Sequence, residues 1–232
     1  MNFSHLLIGF SVLIFTSCSS DSTNAPSNEA KTEEAKTEEA KTESAKTIGD
    51  LGIPDGKYTL TKETPSINWT ATKITGDSHY GIIPAKQGKF MVENGVITKG
   101  IISFDMNGFE VTDLDGESKE NFDGHLKSDD FFDVENFPTA RLNFNKTSIN
   151  ENGEKQVSFT LDMHGVEVDY LIPFKLAEKK MEYGSMGYRI TGEFLMDRTK
   201  HGLTYGSGSF FDDLGDRVIN DEVKLSFEFV AL

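Results

Sequence analysis

From Lys57 to the last residue, hydrophobic and polar positions alternate with a period of two, in short runs broken by Gly, Asn and Asp. That period belongs to strands buried on one face. Ile67, Trp69 and Ala71 share one side of a run whose other side is Asn68, Thr70 and Thr72. The runs 88–92 and 96–106 flank Glu93-Asn94-Gly95, and Asn-Gly is the strongest short-range hairpin signal because both residues tolerate positive φ. Asn152-Gly153 predicts a second hairpin, and His164-Gly165 a third between the runs 157–163 and 166–176. Three hairpins in succession predict an up-and-down meander. The last run sets Val223, Leu225, Phe227, Phe229 and Ala231 opposite Glu222, Lys224, Ser226 and Glu228. So apolar a strand would be an aggregation template as a free edge, so it is expected to pair back onto the first strands. The expected fold class is therefore all-β, a closed antiparallel up-and-down barrel of about eight strands, a size whose interior can hold one small ligand. Residues 118–134 form the segment expected to be helical, lying across one mouth.

Before residue 55 the pattern is different. Residues 6–15 form an apolar run of signal-peptide length, too short to span a bilayer as a mature helix, and it ends in Phe15-Thr16-Ser17-Cys18. This resembles a bacterial lipoprotein signal, in which cleavage after Ser17 leaves Cys18 as the lipidated N-terminus. Phe15 stands where an aliphatic residue is usual and the first residues carry no Lys or Arg. An ordinary secretory signal with an incidental cysteine is the alternative. Residues 29–47 then repeat Glu-Ala-Lys-Thr-Glu, with a last copy shortened to Ser-Ala-Lys-Thr. A five-residue period moves each Ala about 140° around a helix from the one before, so no apolar stripe forms. The repeat reads as an extended tether of roughly 30 Å. The expected organisation is a signal peptide at 1–17, a lipidated Cys18 with a low-complexity spacer over 18–54, and a barrel domain over 55–232.

Composition narrows the function. With 37% hydrophobic residues and 18 Phe, the domain can build a substantial core. The formal net charge of −15 argues against a nucleic-acid partner. Only eight acids and four bases fall in residues 1–54, so the folded domain is itself acidic. Cys18 is the sole cysteine, which leaves the domain without disulfides or a thiolate metal site. His79, His125, His164 and His201 fall at no metal-ligand spacing, and no G-x-S-x-G elbow, P-loop or G-x-G-x-x-G is present. His125 and Asp129, four apart, could face the same way on a helix, as a capping pair more than as a ligand set.

Residues 125–144, His-Leu-Lys-Ser-Asp-Asp-Phe-Phe-Asp-Val-Glu-Asn-Phe-Pro-Thr-Ala-Arg-Leu-Asn-Phe, organise the rest. Phe131, Phe132, Val134 and Phe137 form an apolar wedge among Asp129, Asp130, Asp133 and Glu135. Pro138 then forbids helix, and Ala140, Leu142 and Phe144 alternate with Arg141, Asn143 and Asn145 as a strand. This stretch resembles the signature of the YceI-like family, lipocalin-like periplasmic barrels that hold a long isoprenoid or fatty chain. Trp69-Thr70-Ala71-Thr72-Lys73 with His79-Tyr80-Gly81, the hairpin 159–170, Asp197-Arg198 with Gly202, and residues 219–223 resemble further family motifs in the right order, covering roughly 56–232. Asp162-Met163 departs from the small or polar residues commoner there.

The resemblance implies a lipid-anchored, extracytoplasmic binding protein of the bacterial envelope, facing the periplasm or cell surface. Its expected partners are a long-chain lipid ligand and, through Cys18, the membrane; Ser19 and Ser20 favour the outer membrane, and a homodimer stays open. No cofactor beyond that non-covalent lipid and no enzymatic activity are expected. The expected lining is Trp69, Phe104, Met106, Phe144, Phe159, Phe174 and Phe227, with Phe131 and Phe132 closing one end and Asp129 capping their segment. Two other classes remain: a stress-response enzyme using His125, Asp129, Asp197 or Arg198 at the mouth, and a structural or protein-binding module whose barrel is filled by its own Phe.

Overall fold

The computed structural model describes residues 49–62 and 66–232; the apolar leader, Cys18 and the pentad spacer lie outside the described residues. In chain order the strands are β1 (Gly56–Thr59), β2 (Ser66–Thr72), β3 (Ser78–Glu93), β4 (Val96–Asp105), β5 (Glu110–Val111), β6 (Thr139–Ile149), β7 (Lys155–Met163), β8 (Val166–Pro173), β9 (Lys175–Lys180), β10 (Met186–Asp197) and β11 (Glu222–Ala231), with helix α1 (Gly116–Lys127) after β5. They form one curled antiparallel sheet with the path β8-β7-β6-β4-β3-β2-β11-β10-β9, to which β1 and β5 add along β3. The meander is therefore present, and β11 does return to the first strands, with Leu225 opposite Trp69 and Phe227 opposite Ile67.

Turn chemistry sets the hairpins as the residue types predict. Asn94 and Gly95 take φ of +55° and +74°, and His164 and Gly165 take +53° and +73°. Consecutive left-handed residues give the turn whose twist matches the strands it joins. Gly165 has a second duty, since a Cβ there would stand 2.7 Å from the Phe137 ring.

Two bends turn the sheet into a curled wall. β3 pairs with β2 through Pro84 and with β4 from Ala85 onward, with a register shift between Ala85 and Gln87. The shift switches its buried positions from Gly81 and Ile83 to Gly88, Phe90 and Val92. At the other bend Phe174 breaks the expected run 166–176 in two, so that β8 pairs with β7 and β9 with β10. The ladder path thus has nine strands where about eight were expected. Its ends are successive pieces of one chain, and no ladder among the described strands joins β8 to β9. The wall meets itself through the chain at Phe174 where a hydrogen-bonded seam was expected.

The helix is shorter than expected. α1 stops at Lys127 because the Ser128 N–H and Oγ–H both turn back to the His125 carbonyl, and the Phe132 and Val134 N–H groups satisfy the Leu126 and Lys127 carbonyls. Residues 128–137 are turns, with Asp133 at φ +43°. A hydroxyl that competes for backbone partners ends a helix whatever the apolar spacing beyond it. α1 is held on β5 by Lys119, whose ammonium bonds Glu110, the Val111 carbonyl and Asp123, while Asp123 also accepts the Val111 N–H at 2.7 Å.

The core follows the alternation: Trp69, Ile102, Phe104, Met106, Leu142, Phe159, Leu161, Leu225 and Phe229 are all buried. Leu51 and Ile53, at the end of the expected spacer, are buried with them. The inward set of β6 is reset by a shift between Phe144 and Lys146, beyond which Thr147 is buried and its Oγ accepts the Ile97 N–H at 3.0 Å.

Candidate functional site

Inside the curled wall lie two adjoining apolar cavities. The larger, of about 170 Å³, sits under α1 and residues 128–137, lined by Trp69, Phe104, Met106, Phe131 and Phe132 with Phe109, Phe122, Leu126, Met196 and Leu203 among others. The smaller, of about 50 Å³, is lined by Phe104, Phe144, Phe159, Phe174 and Phe227 with aliphatic neighbours. Ile67, Phe104, Leu161 and Leu225 border both. All nine expected lining residues therefore reach one cavity or the other, and only Phe104 of the nine reaches both.

The larger cavity is closed by pieces that are not strands. Phe132 packs on Phe109 at 4.8 Å between ring centroids, and Phe109 stacks flat on Trp69 at 5.2 Å. Phe131, His125 and Tyr205 form a three-ring cluster with centroids 4.9 to 5.2 Å apart. This joins the segment after α1 to the segment after β10. The carboxylate nearest His125 is that of Asp130, at 3.5 Å, in place of the expected Asp129.

Arg198 explains how an irregular segment can close a cavity. It is 3% exposed and spends all five N–H groups on the surrounding loop: Nε on the Asn220 carbonyl, Nη1 on those of Leu203 and Tyr205, Nη2 on that of Ile219 and on Asp221. Burial pulls its pKa down, and the charges of Asp221 and Asp197 oppose that. Asp197 accepts the Thr199 N–H and Oγ–H, holding the short 3-10 turn Arg198–His201. The adjacent Asp197-Arg198 pair is thus a loop-building device.

His201 is fully buried, and its Nδ1–H donates to the Val166 carbonyl at 3.1 Å, since a carbonyl can only accept. Its Nε2 is then the acceptor for the Tyr170 hydroxyl at 3.0 Å. Burial lowers the His201 pKa, and burial followed by the Asp197 charge pushes the Tyr170 phenol up to about 12. The pair is neutral and fastens the same segment to β8. On the opposite rim His79 Nδ1 lies 2.8 Å from Asp113, which also accepts the Tyr80 N–H at 2.9 Å. Burial would raise the Asp113 pKa, but those hydrogen bonds and the His79 charge outweigh it and hold the carboxyl low.

The four groups that an enzymatic site would use are not brought together: Arg198 faces carbonyls, Asp197 caps its own turn, His125 packs between rings, and Asp129 is bonded to none of them. Sequence periodicity missed Phe109, Leu203 and Ile219 as wall residues because they lie outside long alternating runs. Phe109 carried one usable signal, its place two residues before the buried Val111. One polar atom stands out in the wall: the Trp69 Nε1 is buried and has no hydrogen-bond partner.

The model of the family described as "YceI-like domain" matches residues 58–231. No curated protein matches the chain. Solved structures similar to it include BcnA of Burkholderia cenocepacia, 14% identical, covering 72% of this chain and 96% of that one with a TM-score of 0.49. A polyisoprenoid binding domain from Saccharophagus degradans implicated in plant cell wall breakdown is 14% identical over 75% of this chain and 97% of its own, with a TM-score of 0.48. The YCEI protein of Campylobacter jejuni is 16% identical over 86% and 97%, with a TM-score of 0.47.

Proposed function

The chain belongs to the YceI-like family, and from that premise we propose that it binds a long-chain isoprenoid or fatty amphiphile inside its curled sheet, as a carrier or store. The observation that carries this reading is the pair of adjoining cavities with almost wholly apolar walls. Such walls recognise length and bulk, and each methylene they bury contributes about 0.8 kcal/mol before ordering costs. The larger cavity alone is only slightly bigger than one that takes a benzene ring. A long chain must therefore occupy both cavities by moving the side chains of Ile67, Phe104, Leu161 and Leu225 that part them. Family membership supports binding over catalysis, and nothing in the placement of His125, Asp129, Asp197 and Arg198 favours the enzymatic reading.

Mass spectrometry of organic extracts of the purified protein tests this, together with titration by chain-length series of fluorescent lipids. Affinity should rise with length and level off once both cavities are filled. Absence of stoichiometric lipid together with no binding of any probe would sink the carrier reading.

In the same proposal Cys18 carries the lipid anchor, and the spacer that follows it, ending before the buried Leu51 and Ile53, holds the domain off the outer membrane. Two acyl chains suffice for stable anchoring where one does not. Cys18→Ser should release the protein into the soluble extracytoplasmic fraction; a variant that stays cleaved and membrane-bound would show that the anchor lies elsewhere.

A further inference from the structure

We infer that the molecule held in the larger cavity presents a neutral oxygen acceptor, a carbonyl foremost, to the indole N–H of Trp69. The inference rests on the binding proposed above and adds a chemical class to it. Trp69 is 4% exposed and lines the larger cavity. One face of its ring is covered by Phe109, stacked at an interplanar angle of 8°. Its Cε2–Cζ2 edge lies over Gly81, so close that a Cβ there would sit 2.8 Å from both atoms. The Glu110 carbonyl stands beside Gly81 at this edge, yet no hydrogen bond joins it to the indole. Among the described residues this Nε1 is the one buried side-chain nitrogen or oxygen without a hydrogen-bond partner.

Buried indole N–H groups ordinarily find a partner, and a phenylalanine here would fill the wall without leaving a donor orphaned. The other polar groups on this wall are committed or lie at its rim. All five Arg198 N–H groups are taken, and His79 Nδ1 is held by Asp113. Thr72 is the last residue of β2, and Lys73 and Asp77 lie in the turn between β2 and β3. A water molecule is a poor substitute, since a stable buried water makes two to four hydrogen bonds and this wall is nearly all apolar. A carboxylate or phosphate at Trp69 is equally unsuited, because an ionised group in an apolar wall needs a cation beside it: Arg198 has no donor left, and Lys73 and His79, the other cationic side chains on this lining, are only half-buried, His79 being held by Asp113. What remains is an apolar molecule with one uncharged acceptor, its chain continuing past Phe104 towards the smaller cavity.

The chain contains a single tryptophan, so the indole proton is a unique reporter. The full-length protein, labelled with nitrogen-15, is titrated with three probes of equal chain length: an alkane, a methyl ketone and a fatty carboxylate. The expected result is that the ketone binds about tenfold tighter than the alkane, as one hydrogen bond of ordinary strength requires. The ketone should also move the indole proton downfield and slow its exchange with solvent, while the alkane does neither. Trp69→Phe should bring ketone and alkane to equal affinity without weakening the alkane, and the spectrum of the unsubstituted protein decides the matter even if that variant folds poorly. Equal binding of ketone and alkane with an unmoved indole proton would overturn the inference and leave the carrier reading standing. Tightest binding by the carboxylate with the same indole shift would overturn its neutral character. Failure of all three probes to bind would overturn both readings together.

Discussion

The two cavities are built differently, and the difference decides what each can do. The smaller is walled by strand residues, Phe144, Phe159, Phe174 and Phe227 among them, and is nearly filled by their rings. The larger takes much of its wall from pieces outside the long strands, Phe109, Phe122, Leu126, Phe131, Phe132, Leu203 and Ile219, and retains more than three times the space. Pleated strands project a side chain inward every second residue, so large rings from neighbouring strands meet and exclude volume. Loops have no such spacing. They close the mouth by ring-on-ring contact and by one guanidinium that satisfies their carbonyls, which leaves room between. Space for a ligand lies where the wall stops being regular.

Breaking the mouth should be among the costliest changes. Arg198→Met removes the donors of one buried and three part-buried carbonyls, and a loss of about 3 kcal/mol in urea denaturation is expected. Hydrogen exchange should show residues 198–221 deprotected while β6 and β7 beside the smaller cavity stay protected. Equal deprotection at both ends would mean that the two regions do not differ in the way described.

Equal in size is the partition itself. Phe104 is 2% exposed and borders both cavities, so Phe104→Ala should cost about 3 kcal/mol and merge them. A long-chain ligand should restore part of this loss by filling the space, whereas a short one should not. A loss that no ligand offsets would mark Phe104 as packing alone.

A smaller effect is expected at Gly81. An added Cβ would collide with the Glu110 carbonyl and crowd the Trp69 ring, so Gly81→Ala should cost about 1–3 kcal/mol. Because the one tryptophan reports on this wall, its fluorescence should move to the red as the mouth loosens. An unchanged spectrum would show that β5 gives way without disturbing the cavity.

The mildest test is pH. The folded-state pKa of His201 lies below its ordinary value, so as pH falls the unfolded chain takes up this proton first. Stability is full above about pH 6.5 and falls as pH drops through that value towards the folded pKa, by at most about 1.4 kcal/mol per unit. The depressed carboxyls of Asp105, Asp113 and Asp221 act only further down the scale. Denaturation midpoints between pH 7.5 and 5.5 should slope downward in the native chain and run flat in His201→Gln. A slope that survives the substitution would assign the effect to another group.

What the sequence determined by itself is what neighbours in the chain decide. The alternation of β11, the positive-φ pairs at Asn94-Gly95 and His164-Gly165, and the start of β6 after Pro138 depend on residues a few positions apart, and they stand as read. The alternation also placed Trp69, Phe104, Met106, Phe144, Phe159, Phe174 and Phe227 on the inward face, while Phe131 and Phe132 were read from the apolar wedge of the 125–144 stretch. Tertiary structure alone decided the rest. The shift at Ala85 and the break at Phe174 arise where strands change partners, the shift at Phe144 lies within the β6–β7 ladder, and no local period announces any of them. α1 ends at Lys127 because Ser128 finds the His125 carbonyl, which apolar spacing does not foretell. Leu203 and Ile219 reach the wall only because Arg198 gathers their carbonyls across about twenty residues of chain. That Trp69 would be buried could be read from its strand; that its N–H would be left without a partner depends on every surface folded against it.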